Sequence, residues 1–379
     1  MEIEHAKSAE IVSSIDDLLS RILLLLPIKS LIRFQSVSKH WLSLITNPIF
    51  SHLRNPNPNP AVGLFLPPAG DHQPFDYLPL SPHESTDKKL EFSVDLRGVK
   101  ILQSCNGLLL LASKNRYYIY NPTTNRRLEL PNPDERNGNL SDIILVFDPV
   151  KSRYYDVVCV WYPKISQCLI EIYSSETRSW RSCGGPFTAA FDFENGVYWN
   201  GAVHWLGNGD GDESLYFRVA DQVLDKMPIL PTQIELYDRF SRRNYFIGHS
   251  CDHLHFIGKP SSAVLFNVYE MRRDYSEWFF KYRVDLSPVV AANQNMVLGR
   301  GNPFGWYILN FAVLGLVRGE HDEDSFLVLQ TTGKIIRYNL VQGSFENLYE
   351  FEGDLVKDCL SLRYPGISGF EYIESLCCV

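Results

Sequence analysis

Four residues in one short stretch have side chains that bind transition metals: His249, Cys251, His253 and His255. Residues two apart on a strand share a face, so an unbroken strand would converge four zinc-competent ligands. Asp252-His253 has the character of a turn, and a turn there scatters the set, so ordinary strand residues are the simpler reading. The overlapping Gly248-His249-Ser250-Cys251-Asp252 approximates a nucleophile elbow but lacks its second glycine. Gly207-Asn208-Gly209-Asp210-Gly211-Asp212-Glu213 is acidic and glycine-rich, as calcium loops are. Counted from Asn208, however, the position that demands glycine is Glu213 and the position that demands a bidentate glutamate is Val219. His321-Asp322-Glu323-Asp324 reads likewise as an exposed hairpin tip, and no Walker-type phosphate loop is present. The expectation is a protein that is not an enzyme, with no catalytic residues, metal or cofactor.

The elements that carry these residues fall into two unlike parts. In the first fifty residues, Ser14-Ile15-Asp16-Asp17 has the form of a helix start, with Ser14 as cap and Asp17 in capping-box position. Leu18, Leu19, Ile22, Leu23 and Leu26 follow at helical spacing, and Pro27 ends the helix. A second short helix runs through Leu31 and Phe34. A third carries Val37, Trp41, Leu42 and Ile45 and is expected to stop near Asn47-Pro48. Three short helices cannot bury this many apolar residues among themselves, and a module this small needs a covering surface to be stable. That surface is either a partner or the domain behind. Residues 9–54 are taken as this helical domain, and the alternating prolines of 55–60 as an extended, semi-rigid spacer.

From residue 61 to 379 the pattern becomes short apolar and aromatic runs separated by turns. Asn106-Gly107, Asn195-Gly196 and Asn200-Gly201 lead into apolar segments. Tyr120-Asn121-Pro122-Thr123-Thr124 and Phe147-Asp148-Pro149 reverse the chain between strands. Irregular repeats of about 40–50 residues built from antiparallel strands point to a β-propeller, here of about six blades, with one blade completed by strands from both ends of the domain. A β-sandwich is the alternative. The expected fold is thus α+β and multidomain, a small three-helix unit followed by an all-β propeller.

The 379 residues are 45% hydrophobic and 21% charged, with a formal net charge of −8. This balance suits a soluble chain and argues against a nucleic-acid partner, which needs clustered cations. Arg126-Arg127, Arg242-Arg243 and Arg272-Arg273 lie in expected turns without an aromatic stacking platform and read as solvated. The greasiest run, Leu18 to Ile28, contains Arg21 and Pro27 and is too short to span a bilayer. Eight scattered cysteines without zinc spacing suggest reduced thiols, and hence a cytoplasmic or nuclear setting.

Residues 14–50 resemble the F-box through Asp16-Asp17-Leu18-Leu19, Ile22-Leu23, Leu26-Pro27, Leu31, Arg33-Phe34, Val37-Ser38-Lys39-His40-Trp41 and Leu44-Ile45. The remainder is similar to the F-box-associated, Kelch-like domain of plant F-box proteins. That likeness rests on Ser104-Cys105-Asn106-Gly107-Leu108, Tyr120-Asn121-Pro122-Thr123-Thr124, the Asn-Gly to His204-Trp205 segment, and Tyr372-Ile373-Glu374-Ser375-Leu376. One departure is that the family's opening Leu-Pro is here Ser14-Ile15, which keeps an apolar side chain but loses the fixed φ.

The resemblance implies a substrate-recognition adaptor of an SCF-type ubiquitin ligase. Its F-box would dock on the Skp subunit, and through it on cullin, while the β domain captures a protein target. By position, the Skp contacts would be Ile15, Leu18, Ile22, Leu26, Pro27, Leu31, Val37 and Trp41, part of which also form the module's own core. A scaffold that binds Skp without joining a ligase, or a propeller enzyme, are the alternatives. The substrate-binding residues are not legible.

Overall fold

The computed structural model describes residues 15–54, 60–67, 75–81, 98–164, 166–188, 191–207, 213–230, 245–258, 264–300, 307–351, 362, 369–377 and 379. The proposed cap Ser14, most of the 55–60 spacer and residues 208–212 of the acidic loop lie outside this set.

Four short helices come first: α1 (Asp16–Leu24), α2 (Ile28–Phe34), α3 (Lys39–Ile45) and α4 (Pro48–Arg54). Helix α1 is preceded by Ile15 in extended conformation, with no side-chain cap. Pro27, as expected, separates α1 from α2. Ser38 caps α3, its hydroxyl accepting from the Trp41 N–H at 3.1 Å. Val37 therefore lies before α3 rather than on it. Helix α3 stops at Ile45, just before Asn47-Pro48 as expected, and Pro48 then opens a fourth helix that the sequence reading did not include. Asn47 Oδ1 accepts from the Ile49 N–H at 2.9 Å, and proline at the first helical position loses no intrahelical bond. Leu19, Leu23, Ile28, Leu31, Ile45 and Phe50 are buried together as the core of these helices.

A six-bladed propeller follows. Blade 1 joins strands 76–79 and 63–66 to strand 370–372, so both ends of the domain meet in one sheet, as the sequence suggested. Blades 2 to 6 begin at Lys100, Asn139, Val197, Tyr245 and Ala312, and each is an antiparallel meander of four strands. Blade 3 carries a fifth short strand, Phe187–Thr188. A small two-stranded ribbon, 297–300 with 307–309, stands between blades 5 and 6. The innermost strands are 370–372 and the first strand of each later blade, and they follow one another around the axis. The ring closes where the Gly369 N–H donates to the Leu314 carbonyl at 2.5 Å.

The core lies between blades. One cluster joins blades 2, 3 and 4 through Leu110, Val158 and Phe217. Others join blade 4 to 5 through Trp199 and Phe256, 5 to 6 through Val268 and Leu327, 6 to 1 through Val328 and Leu64, and 1 to 2 through Phe65 and Leu109. A strand covered on both faces reads as a continuous apolar run, as Leu108–Leu111 does, and all four of those residues are buried. The outermost strand Arg126–Glu129 is exposed throughout.

The turn chemistry follows the sequence. Asn106 and Gly107 have φ of 46° and 92°, and Asn200 and Gly201 have 50° and 80°. Two successive left-handed residues make the hairpin turn that matches strand twist, which is why Asn-Gly recurs.

Candidate functional site

Helix α1 has two apolar stripes. Leu19 and Leu23 point into the module's core. Ile15, Leu18, Ile22 and Leu25, spaced three, four and three apart, fall on another face. Their exposures are 46%, 39%, 43% and 86%. Four large aliphatic residues, two within α1 and one at each of its caps, thus keep apolar surface exposed along one side. More apolar surface lies on the later helices and their joints, where Val37, Leu42, Ile49 and Leu53 are exposed.

The eight residues expected to meet a partner divide by burial. Ile15, Leu18 and Ile22 share the exposed stripe, and Pro27 and Val37 are also exposed. Leu26 and Trp41 are half-buried against the module's core, and Trp41 meets Phe34 edge-on at 5.3 Å. Leu31 has no exposed surface at all. Its place is inside the module, because the face of α2 that carries it turns toward Leu19 and Ile45. Leu25, Ile49 and Leu53 were not singled out from the sequence, and Leu42 was read only as an apolar residue of the third helix. The three–four–three spacing from Ile15 was the available signal for Leu25.

Electrostatic contacts fix the stripe's frame. Arg54 reaches back from α4 and donates to the Leu24 carbonyl at 3.2 Å, capping the end of α1. His40 lies 3.2 Å from Asp16 at the other end.

The histidine cluster is divided by its own hairpin. Cys251 and Asp252 are the turn, with φ of 46° and 65°. The turn thus falls one residue before Asp252-His253. Ser250 pairs with His253 and Gly248 with His255, so His253 and His255 share one face while His249 pairs with Leu254 on the other. Glu270 then claims the two: its carboxylate lies 2.6 Å from His253 Nδ1 and 3.5 Å from His255 Nε2. Burial pushes the Cys251 thiol up to about 11, and its Sγ donates to the Arg318 carbonyl at 3.1 Å. A protonated, engaged thiol is a poor ligand and a poor nucleophile. Ser250 is equally engaged, its hydroxyl accepting from the Arg318 N–H at 3.1 Å.

The sequence motifs of the β domain hold blades together. Asn106 donates to the Phe147 carbonyl at 2.7 Å, joining blade 2 to blade 3. Asp142 accepts from the Gly196 N–H and the Trp205 indole, both at 2.9 Å, joining blade 3 to blade 4. Burial raises the pKa of Asp142, and these donors oppose that rise. A side chain at Gly196 would strike the Trp205 indole at 2.6 Å, so glycine is required there by close approach. His204 is sealed between the Val197 carbonyl at 3.1 Å and the Tyr275 hydroxyl at 2.9 Å, and burial lowers its pKa to about 3.

The chain is thus a protein of two parts, a short helical module with an exposed aliphatic face and a six-bladed propeller. A family model described as "F-box domain" matches residues 16–53, and one described as "F-box associated beta propeller domain" matches residues 71–240. The chain is 34% identical to the F-box protein At5g07610 of Arabidopsis thaliana, over 98% of this chain and 94% of that one. It is 29% identical to the F-box protein At5g03970 of the same plant, over 76% and 73%. The chain belongs to the F-box proteins that carry an F-box-associated β-propeller. Among solved structures it is similar to an oligogalacturonate lyase (9% identity, 74% of this chain, 72% of that chain, TM-score 0.37) and to TolB from Acinetobacter baumannii (11%, 78%, 65%, 0.36).

Proposed function

We propose that this protein is a substrate-recognition adaptor of an SCF-type ubiquitin ligase. The F-box docks on the Skp subunit through the α1 stripe of Ile15, Leu18, Ile22 and Leu25, and the propeller holds a protein target. The observation that carries the reading is the stripe itself: four aliphatic side chains on one face of α1, left uncovered in a module whose family is the F-box. Helix-in-groove recognition uses anchors at this spacing, and desolvation of such anchors supplies most of the affinity. Pro27 and Val37 add exposed apolar surface at either end of α2, and Trp41 is half-buried against the module's core beside Phe34. The adaptor makes and breaks no bonds. It raises the effective concentration of the target near the ubiquitin-loaded subunit.

The test is capture of the full-length chain on purified Skp subunit, beside an Ile22→Asp, Leu25→Asp double variant. Both substituted residues are exposed, so the variant keeps the fold, which its circular dichroism and melting curve check. Binding by the parent and none by the folded variant supports docking through α1. Equal binding by both removes α1 from the interface, and no binding by the folded parent removes the adaptor reading.

A further inference from the structure

We propose that segment 373–377 is a clasp that fastens the F-box to the propeller and fixes the angle between them. The segment leaves the innermost strand of blade 1 at Tyr372 and crosses the Asn106-Gly107 turn of blade 2. There it is gripped from below. The Asn121 amide donates to two of its carbonyls, Ser375 at 3.1 Å and Cys377 at 2.8 Å. The Ser375 N–H donates to the Thr123 hydroxyl at 3.1 Å. Asn121 is fully buried, and its Oδ1 accepts from the Thr123 N–H at 2.9 Å, so the grip is preset by its own turn.

Successive side chains of an extended segment point to opposite sides. Cys377 is buried in the core cluster shared by blades 2, 3 and 4. Leu376 faces the other way and is buried in the F-box core with Leu19, Leu23, Ile28, Leu31, Ile45 and Phe50. One residue of the propeller's closing segment is thus a core residue of the helical module. Glu374 adds an electrostatic contact. Burial disfavours the charge on Arg54, Glu374 favours it, and Arg54 is the residue that caps α1. Gly107 records the closeness of the crossing: a Cβ there would lie 2.4 Å from Ser375 Cβ and 2.9 Å from the Ile373 carbonyl oxygen.

The clasp explains why the Asn-Pro-Thr-Thr motif and the closing Glu-Ser-Leu belong together, and it places the orienting contact outside the proline spacer. It is independent of what the F-box binds, so its test stands whether or not Skp is the partner.

Hydrogen exchange of the full chain, read by mass spectrometry, decides the matter together with small-angle scattering. Leu376→Ser should raise amide exchange in α1 and α3 by about tenfold or more while blades 3 to 5 exchange at the parental rate. Leu376→Met, which conserves volume, should leave every rate unchanged. Asn121→Ala should free the segment and enlarge the radius of gyration. If Leu376→Ser does not fold, the scattering of Asn121→Ala decides alone. Parental exchange in α1 and α3 of a folded Leu376→Ser, or an unchanged radius in Asn121→Ala, would overturn the proposal. So would an equal loss of protection throughout the propeller, which would make the segment a closing element of the ring only.

Discussion

The Trp205 indole N–H donates to Asp142 Oδ2 at 2.9 Å across the boundary between blades 3 and 4. The same oxygen accepts from the Gly196 N–H, and the other oxygen accepts from the Ile143 N–H at 3.0 Å. Three donors satisfy one withdrawn carboxyl group, and two of them belong to the next blade. Asp142→Ala strands those donors in the interior, at a cost of about 1–3 kcal/mol for each group left unpaired. The variant should unfold at lower denaturant concentration than the parent, and Asp142→Asn should fall between the two, since an amide oxygen still accepts.

Two glycines with similar backbone angles separate strain from crowding. Gly107 has φ of 92° and Gly333 has 84°, but a Cβ at Gly333 meets nothing within 4 Å. Gly333→Ala should cost only the left-handed strain, about 1 kcal/mol. Gly107→Ala should cost more, because it also pushes on Ser375 and the Ile373 carbonyl. Equilibrium unfolding of the two variants side by side measures the difference.

His204 makes stability depend on pH in a predictable direction. Burial holds its pKa at about 3, against an ordinary value of 6.5. Below pH 6.5 the unfolded chain takes up a proton that the native state refuses until about pH 3. Stability therefore falls as the pH is lowered through that window, by about 1.4 kcal/mol per unit from this group. His204→Gln keeps a hydrogen-bonding side chain but cannot be charged. The stability gap between parent and variant should shift in the variant's favour as the pH falls from 6.5 to 3, which denaturation at a series of pH values would show.

Leu31 and Ser38 distinguish the module's core from its capping. Leu31→Ala removes a fully buried side chain and should destabilise by about 2–5 kcal/mol. Ser38→Ala removes the α3 cap and should cost about 1 kcal/mol. The helical signal of the module, followed by thermal unfolding, should fall well before the β signal in the first variant and only slightly earlier in the second.

Much of the fold was legible from local pattern. Asn106-Gly107 and Asn200-Gly201 marked hairpins because two left-handed residues are needed there, while Asn195-Gly196 marked a turn whose glycine is required by close approach to Trp205 instead. Pro48 marked the stop of α3 correctly but hid the start of α4, because proline can both end a helix and begin one, and the Asn47 side chain on the Ile49 N–H shows the second role. Burial of Leu31 and exposure of Leu18 could not be told apart by spacing, since both lie on apolar stripes. The hairpin register that divides His249 from His253 and His255 hangs on a turn placed one residue earlier than its composition suggested. The Asn121 contact with Ser375 spans 254 residues, and no local pattern announces a bond of that separation.

The composite first blade has a consequence for synthesis. Strand 63–66 leaves the ribosome long before its inner partner, 370–372. Until residue 372 emerges, blade 1 offers an unpaired edge of Gly63–Leu66, and blade 6 can pack only on the outer strands of its neighbour. Five blades must wait, collapsed but open, with a sticky edge toward solvent. A nascent chain interrupted after residue 54 but before that point carries the whole F-box segment and an unclosed ring. Such a product keeps exposed the strand edge that the completed ring covers.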